Sequence, residues 1–246
     1  MDSDQIPASW WDSLLERAHS LRDQYQEADP FPHVVLDDFL PEDVALSAAE
    51  ALEGSRSTTR WHQFHSRQER KRATLPGRAM VGQEPVVQEV LRAVNDPRMV
   101  EALAVLSTTK DLEADPSYLG GGVHRIDPGG HLGIHADFNR HPSTKQFRRL
   151  NLLIYLNRDW HEDWGGDLEL WDQPMERCVV KVSPVLNRAV LFSTTSTSWH
   201  GHPVPLQCPP GRSRLSVASY YYSPHPGGQR VRPHSTRFQT RPQGDR

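Results

Sequence analysis

Cysteine is scarce. Only Cys178 and Cys208 occur in 246 residues, with no Cys-x-x-Cys, which excludes a disulfide framework and a thiolate zinc site. Charge of either sign in excess is also missing: 28 Lys and Arg against 31 Asp and Glu leave a net charge of -3. No global field therefore recruits nucleic acid or an anionic membrane, and neither is expected as a partner. There is no apolar run of the roughly 20 residues that a bilayer span needs, and the start Met1-Asp2-Ser3-Asp4-Gln5 lacks a basic stretch followed by an apolar one. A soluble, cytoplasmic protein is expected. Function has to come from a site.

What is present, 36% hydrophobic and 24% charged residues, is ordinary globular composition and enough for one domain over 1–246. Its parts read as an N-terminal helical scaffold (1–117), a β-rich core (118–222) and a C-terminal extension (223–246) rich in Pro, Arg, Gly and Gln. In the first part, Trp11, Leu14, Leu15, Ala18, Leu21 and Tyr25 recur at helical spacing over 9–27, with Ser9 and Asp12 as the N-terminal cap. A short strand at 31–36, a helix opened by Pro41 and helices near 85–95 and 97–107 follow. Residues 54–79, with the run Arg67-Gln68-Glu69-Arg70-Lys71-Arg72, read as a solvated loop. From about 118 the pattern changes to short strands at 122–126, 132–136, 149–156, 167–171, 178–182, 188–193, 198–202 and 213–222. No helix-length pattern separates them, so a sandwich or barrel is expected and a parallel sheet is not.

The chemistry concentrates in 129–139, Gly-Gly-His-Leu-Gly-Ile-His-Ala-Asp-Phe-Asn. On a strand, residues two apart share a face, so the His135 imidazole and the Asp137 carboxylate converge on one metal ion. A third ligand must come from another strand, and Ser198-Trp199-His200-Gly201-His202-Pro203 offers His200 and His202, which share a face. Two imidazoles and one carboxylate occupy one face of an octahedral ion and leave three positions open. Further on, Gly211-Arg212-Ser213-Arg214-Leu215-Ser216 puts Arg214 and Ser216 on one face, a fork of donors and a hydroxyl suited to a carboxylate. Arg212 shares that face. His124 and His131 read as core or pocket-rim residues, and Trp160, Trp164, Trp171 and Trp199 as packing.

His135-x-Asp137, His200 and Arg214-x-Ser216, in this order across a β-rich half, resemble the Fe(II)/2-oxoglutarate-dependent dioxygenases of the prolyl 4-hydroxylase-like branch. Asp127-Pro128-Gly129-Gly130, Leu152 to Asn157, Trp164 to Leu170 and Pro184 to Arg188 also match, so the likeness covers about 118–222, with weaker echoes in 29–40. It implies a mainly β fold with N-terminal α-helices, a double-stranded β-helix or jelly roll. It implies Fe(II) on His135, Asp137 and His200, and 2-oxoglutarate held by Arg214, Ser216 and Tyr155. O2 is the other co-substrate and ascorbate a candidate reductant. The implied reaction hydroxylates a C–H bond of a small molecule, an amino acid or a peptidyl residue, with release of succinate and CO2. Ile126 departs from the pattern, standing where many relatives carry a co-substrate-binding tyrosine. Asp137 argues against halogenation, which needs that carboxylate replaced. Residues 139–148 are either a lid or a solvated connection. Two alternatives remain: a non-catalytic jelly-roll binding module, and a cupin-type metalloenzyme that does not use 2-oxoglutarate.

Overall fold

Residues 147–155 alternate Leu150, Leu152 and Ile154 with Asn151, Leu153 and Tyr155, and in the computed structural model they form a central strand with two neighbours. The structure describes residues 6–54, 60–225 and 232–242. The start Met1–Gln5 and the tail residues 226–231 and 243–246 lie outside the described residues, as does the 55–59 part of the expected solvated loop.

Five helices come early in the chain: α1 (Ala8–Ser20), α2 (Arg22–Glu27), α3 (Glu42–Gly54), α4 (Pro85–Val94) and α5 (Pro97–Ser107). α1 buries Trp11, Leu14 and Ala18, the stripe its periodicity demands. Its cap differs from expectation: Pro7 stands at the N-cap with no side-chain hydrogen bond, so Ser9 and Asp12 lie inside the helix. α4 and α5 each open on proline, whose fixed φ suits the first helical position, and Asp96 caps α5 by accepting from the Arg98 amide. Among the described residues, no helix is long and apolar enough to cross a membrane.

The strands in order are β1 (His33–Leu36), β2 (Trp61–His65), β3 (Glu69–Thr74), β4 (Glu113–Ala114), β5 (Gly122–Ile126) and β6 (His131–Ala136). They continue as β7 (Phe147–Tyr155), β8 (Leu168–Trp171), β9 (Cys178–Val182), β10 (Ala189–Ser193), β11 (His200–His202), β12 (Arg214–Ser223) and β13 (Arg237–Phe238). All pairs are antiparallel, in the order β1-β10-β7-β12-β5-β3-β6-β11-β8-β9, with β2 on β3, β4 on β12 and β13 on β6. β3 joins the layers, pairing with β5 through Arg72 and Ala73 and with β6 through Glu69 and Arg70. The result is a barrel-like jelly roll, the fold that the family resemblance implies and one consistent with the sandwich or barrel expected from the short strands, and its helices cover one layer.

That cover is the main core. Leu150, Leu152, Ile154, Leu191, Leu215 and Val217 face α1 and α3–α5 in one buried cluster. Each fully buried leucine there contributes about 1.5–3 kcal/mol. Asn187 ties β1 to the barrel by accepting from the Leu40 amide at 2.8 Å and donating to its carbonyl at 2.9 Å.

The segment read as a solvated loop is instead a hairpin, β2 and β3, inserted into the barrel wall. Its polarity misleads because one of its faces borders a polar cavity, where apolar alternation is not required.

Candidate metal centre

β6 and β11 lie side by side with His135 opposite His200. The strands can come this close because Gly201 has no side chain: a Cβ there would stand 2.7 Å from the Gly133 carbonyl oxygen and 2.8 Å from that of Leu132. Each imidazole is oriented from its own strand. Nδ1 of His135 donates to the Gly133 carbonyl at 2.9 Å, and Nδ1 of His200 to the Ser198 carbonyl at 2.9 Å. Both rings therefore turn Nε2 inward, and these atoms lie 3.6 and 3.5 Å from the two carboxylate oxygens of Asp137. Three potential ligand atoms, all within 4.8 Å of one another and buried or nearly so, face each other. A cation resolves that arrangement, and two imidazoles with one carboxylate suit Fe(II) with open positions.

Asp137 is itself held. Arg148 Nη1 is 3.1 Å from Oδ1, and Asn151 Nδ2 donates to Oδ2 at 2.6 Å. Burial works to raise the carboxyl's pKa, but the Arg148 guanidinium, followed by the two imidazoles, overrides it and holds the group well below the usual carboxylate range. Burial, aided by the neighbouring His135, pushes His200 down to about 4, so it is a neutral ligand at physiological pH. Arg148 is fixed between the rings of Phe138 and Tyr220, each 3.9 Å from its guanidinium carbon.

These groups line a cavity of about 220 Å³ between the two layers. Its other end holds Arg214, Ser216 and His202. Arg214 is buried, donates through Nε to the Gly166 carbonyl at 2.8 Å, and reaches the Tyr155 hydroxyl with Nη2 at 3.2 Å. Gly166 makes room for it: a Cβ there would press within 3.1 Å of the Arg214 Cδ, and its φ of +83° suits glycine. Burial raises the Tyr155 pKa against the pull of Arg214, so the phenol keeps its proton to donate. Leu153, Leu168, Phe192 and Ile126 supply apolar wall.

The structure thus brings His135, Asp137, His200, Arg214 and Ser216 into the lining of one cavity, sets Tyr155 behind Arg214, and leaves Arg212 outside, near Glu53 at 3.6 Å and over Trp164. His124 is buried against the Gly120 carbonyl, and His131 meets that of Arg67; neither joins the metal cluster. Trp171 and Trp199 are packing residues behind β6, with Ile134 and Ala136.

Sequence reasoning did not find Arg148, Asn151's contact with Asp137, or Lys71. β7 carries an extra residue against β12 between Leu150 and Arg148, and this bulge turns Arg148 to the cavity side. Lys71, on β3, lines the cavity with Glu69 3.4 Å away. Alternation along β3, with Arg70 and Arg72 on the other face, was the available signal.

The mouth has a cover that composition does not suggest. The tail returns as β13, pairing with β6 so that Phe238 lies opposite His135, their rings 5.5 Å apart. Asn139 clamps this segment by donating to the Arg232 carbonyl and accepting from the His234 amide. Beside it a second cleft of about 610 Å³ shares Phe64, Gly120, Phe138 and Thr236 with the first and adds Arg140 and Pro142.

A family model described as the 2OG-Fe(II) oxygenase superfamily matches residues 121–222. Those residues, about two fifths of the chain, are similar to that superfamily. Mouse (Mus musculus) prolyl 3-hydroxylase OGFOD1 is 32% identical over 89 residues, 34% of this chain and 16% of that protein, so the match spans about a sixth of the relative's length. Among solved structures, a prolyl hydroxylase from Trichoplax adhaerens, in complex with a hypoxia inducible factor peptide fragment, superposes with a TM-score of 0.63. It is 18% identical and covered over 89% of this chain and 95% of that one. A Pseudomonas putida prolyl 4-hydroxylase gives 0.56 at 18% identity, over 84% and 98%. These two likenesses are of fold.

Proposed function

We propose that the protein is an Fe(II)- and 2-oxoglutarate-dependent hydroxylase. One observation carries the reading: two imidazole Nε2 atoms and a carboxylate converge in a buried cavity whose opposite end holds Arg214, backed by the Tyr155 hydroxyl. His135, Asp137 and His200 would hold the iron. Iron, 2-oxoglutarate and O2 together supply the oxidising chemistry, in which one oxygen atom goes to the substrate and the other to succinate, with loss of CO2.

The chain's own groups do the positioning. Arg214 offers its guanidinium, Tyr155 its hydroxyl proton and Ser216 its hydroxyl to the far carboxylate of 2-oxoglutarate. Arg148 and Asn151 fix the Asp137 oxygens, so that the carboxylate meets the metal in one orientation. Leu153, Leu168 and Phe192 keep water from the space between. The second cleft is the approach for substrate. Its width and open side support a peptidyl residue or a small molecule alike, and the peptide complex of the Trichoplax adhaerens structure leans toward the former. A cytoplasmic setting is part of the same reading, in keeping with two free cysteines.

The cupin alternative needs a His-x-His pair and a downstream glutamate, which residues 131–141 do not provide. The binding-module alternative leaves three lone pairs facing one another without purpose. Adding Fe(II) and 2-oxoglutarate without oxygen is expected to give a weak visible charge-transfer band, and admitting oxygen to give uncoupled succinate. A mass-spectrometric screen for +O products then identifies the substrate. No band and no succinate would sink the enzyme reading.

A further inference from the structure

The cavity contains one polar side chain whose role is unaccounted for. His202 is 3% exposed, and neither of its ring nitrogens has a hydrogen-bond partner. It stands two residues beyond His200 on β11, in the layer opposite the one that carries Arg214 and Ser216, and lines the same cavity as they do. Buried polar groups are nearly always paired, because an unpaired one has given up its water without compensation. An imidazole with both nitrogens bare, aimed into a cavity, therefore marks the place of a ligand atom. Arg214, Ser216 and Lys71, the last paired with Glu69 at 3.4 Å, line the cavity with it, so a ligand that fits among these donors offers acceptor atoms and negative charge.

Resting on the 2-oxoglutarate reading above, we propose that His202 is a further anchor for that dicarboxylate, donating from one ring nitrogen to a carboxylate oxygen from the side opposite Arg214. The co-substrate is then gripped from both layers: from β12 by Arg214 and Ser216, and from β11 by His202. This also separates the two histidines that spacing alone could not rank. His200, with Nδ1 tied to Ser198, is preset for a metal, whereas His202, tied to nothing, is free to adjust to a ligand.

The test uses the full chain loaded with cobalt(II) under oxygen-free conditions, so that binding is read without turnover. Cobalt(II) uptake is followed by visible absorption and 2-oxoglutarate by calorimetry. His202→Phe keeps a ring and removes the donors; it is expected to weaken 2-oxoglutarate binding roughly 5–30-fold, the equivalent of one lost hydrogen bond, with cobalt(II) affinity unchanged. His202→Gln restores a donor and is expected to recover most of the loss. If the Phe variant does not fold, His202→Leu serves the same comparison. His200→Ala is the contrast, losing the metal itself. A donorless variant that binds 2-oxoglutarate as tightly as the wild type overturns this inference alone, as does one that loses cobalt(II) like His200→Ala. A wild-type protein that takes up cobalt(II) and no 2-oxoglutarate overturns the reading of the whole site, and this inference with it.

Discussion

The two faces of β7 are a direct contrast within one strand. Leu150, Leu152 and Ile154 look outward to the helices and are wholly buried in apolar surroundings. Asn151 and Leu153 look inward to the cavity, where a carboxylate, an arginine and imidazoles gather, and Tyr155 on the same face backs Arg214. The outward face stabilises the protein and performs no chemistry. The inward face holds polar groups out of water in set positions, at a cost that the outward face offsets. Stability and function are thus divided by the two-residue period of the strand.

The sharpest test of that division is Leu152→Ala, which opens a cavity under the helices. It is expected to cost about 2–5 kcal/mol and, for a chain of this length, to lower Tm by roughly 5–15 °C in calorimetry. Succinate formation per folded molecule should not change. If activity falls in proportion, the faces are coupled and the division fails.

Asn151→Ala on the inward face should do the opposite. Without its amide on Asp137, iron(II) affinity is expected to drop roughly 10–100-fold in a competition titration, with a Tm shift far smaller than that of Leu152→Ala.

Acid sensitivity should also follow the inward face. Burial holds the pKa of His124, on β5, down at about 3. Above about 6.5 the ring is neutral in both folded and unfolded chains and has no effect on the balance. As pH falls below that, the unfolded chain takes a proton that the folded one refuses, so stability declines, and the loss stops once pH passes the folded value. At pH 5.5 this one ring accounts for about 1.4 kcal/mol. His124→Gln, metal-free, should therefore lose less stability than the wild type between pH 6.5 and 5.5 in urea melts. Equal slopes would remove His124 from the account.

The smallest effect is expected from Tyr155→Phe, which keeps the ring and removes the hydroxyl near Arg214. A loss of about 1 kcal/mol in 2-oxoglutarate binding by calorimetry, with Tm barely moved, fits a hydroxyl that serves the ligand and not the core.

Much of this was legible in the residues themselves. The strand sequence from 122 to 223 was readable to within about two residues, because short apolar runs between Gly, Pro, Asn and Asp are local signals. His135 and Asp137 were readable as a candidate metal pair because residues two apart on a strand share a face, whereas spacing left His200 and His202 unranked and only the family resemblance favoured His200. The hairpin at 61–74 was hidden, since a strand bordering a polar cavity need not alternate.

What the chain determined by itself was the β-rich pattern and the candidate metal pair His135 and Asp137, whose spacing along a strand sets their direction. The tertiary structure decided the rest. It separated Arg214 from Arg212, which share parity, through the space left at Gly166. It turned Arg148 inward through a bulge that reverses parity, placed Lys71 in the cavity wall, and folded the tail back over β6. Alternation is local and survives in sequence; bulges and the approach of distant strands depend on the register of the whole barrel.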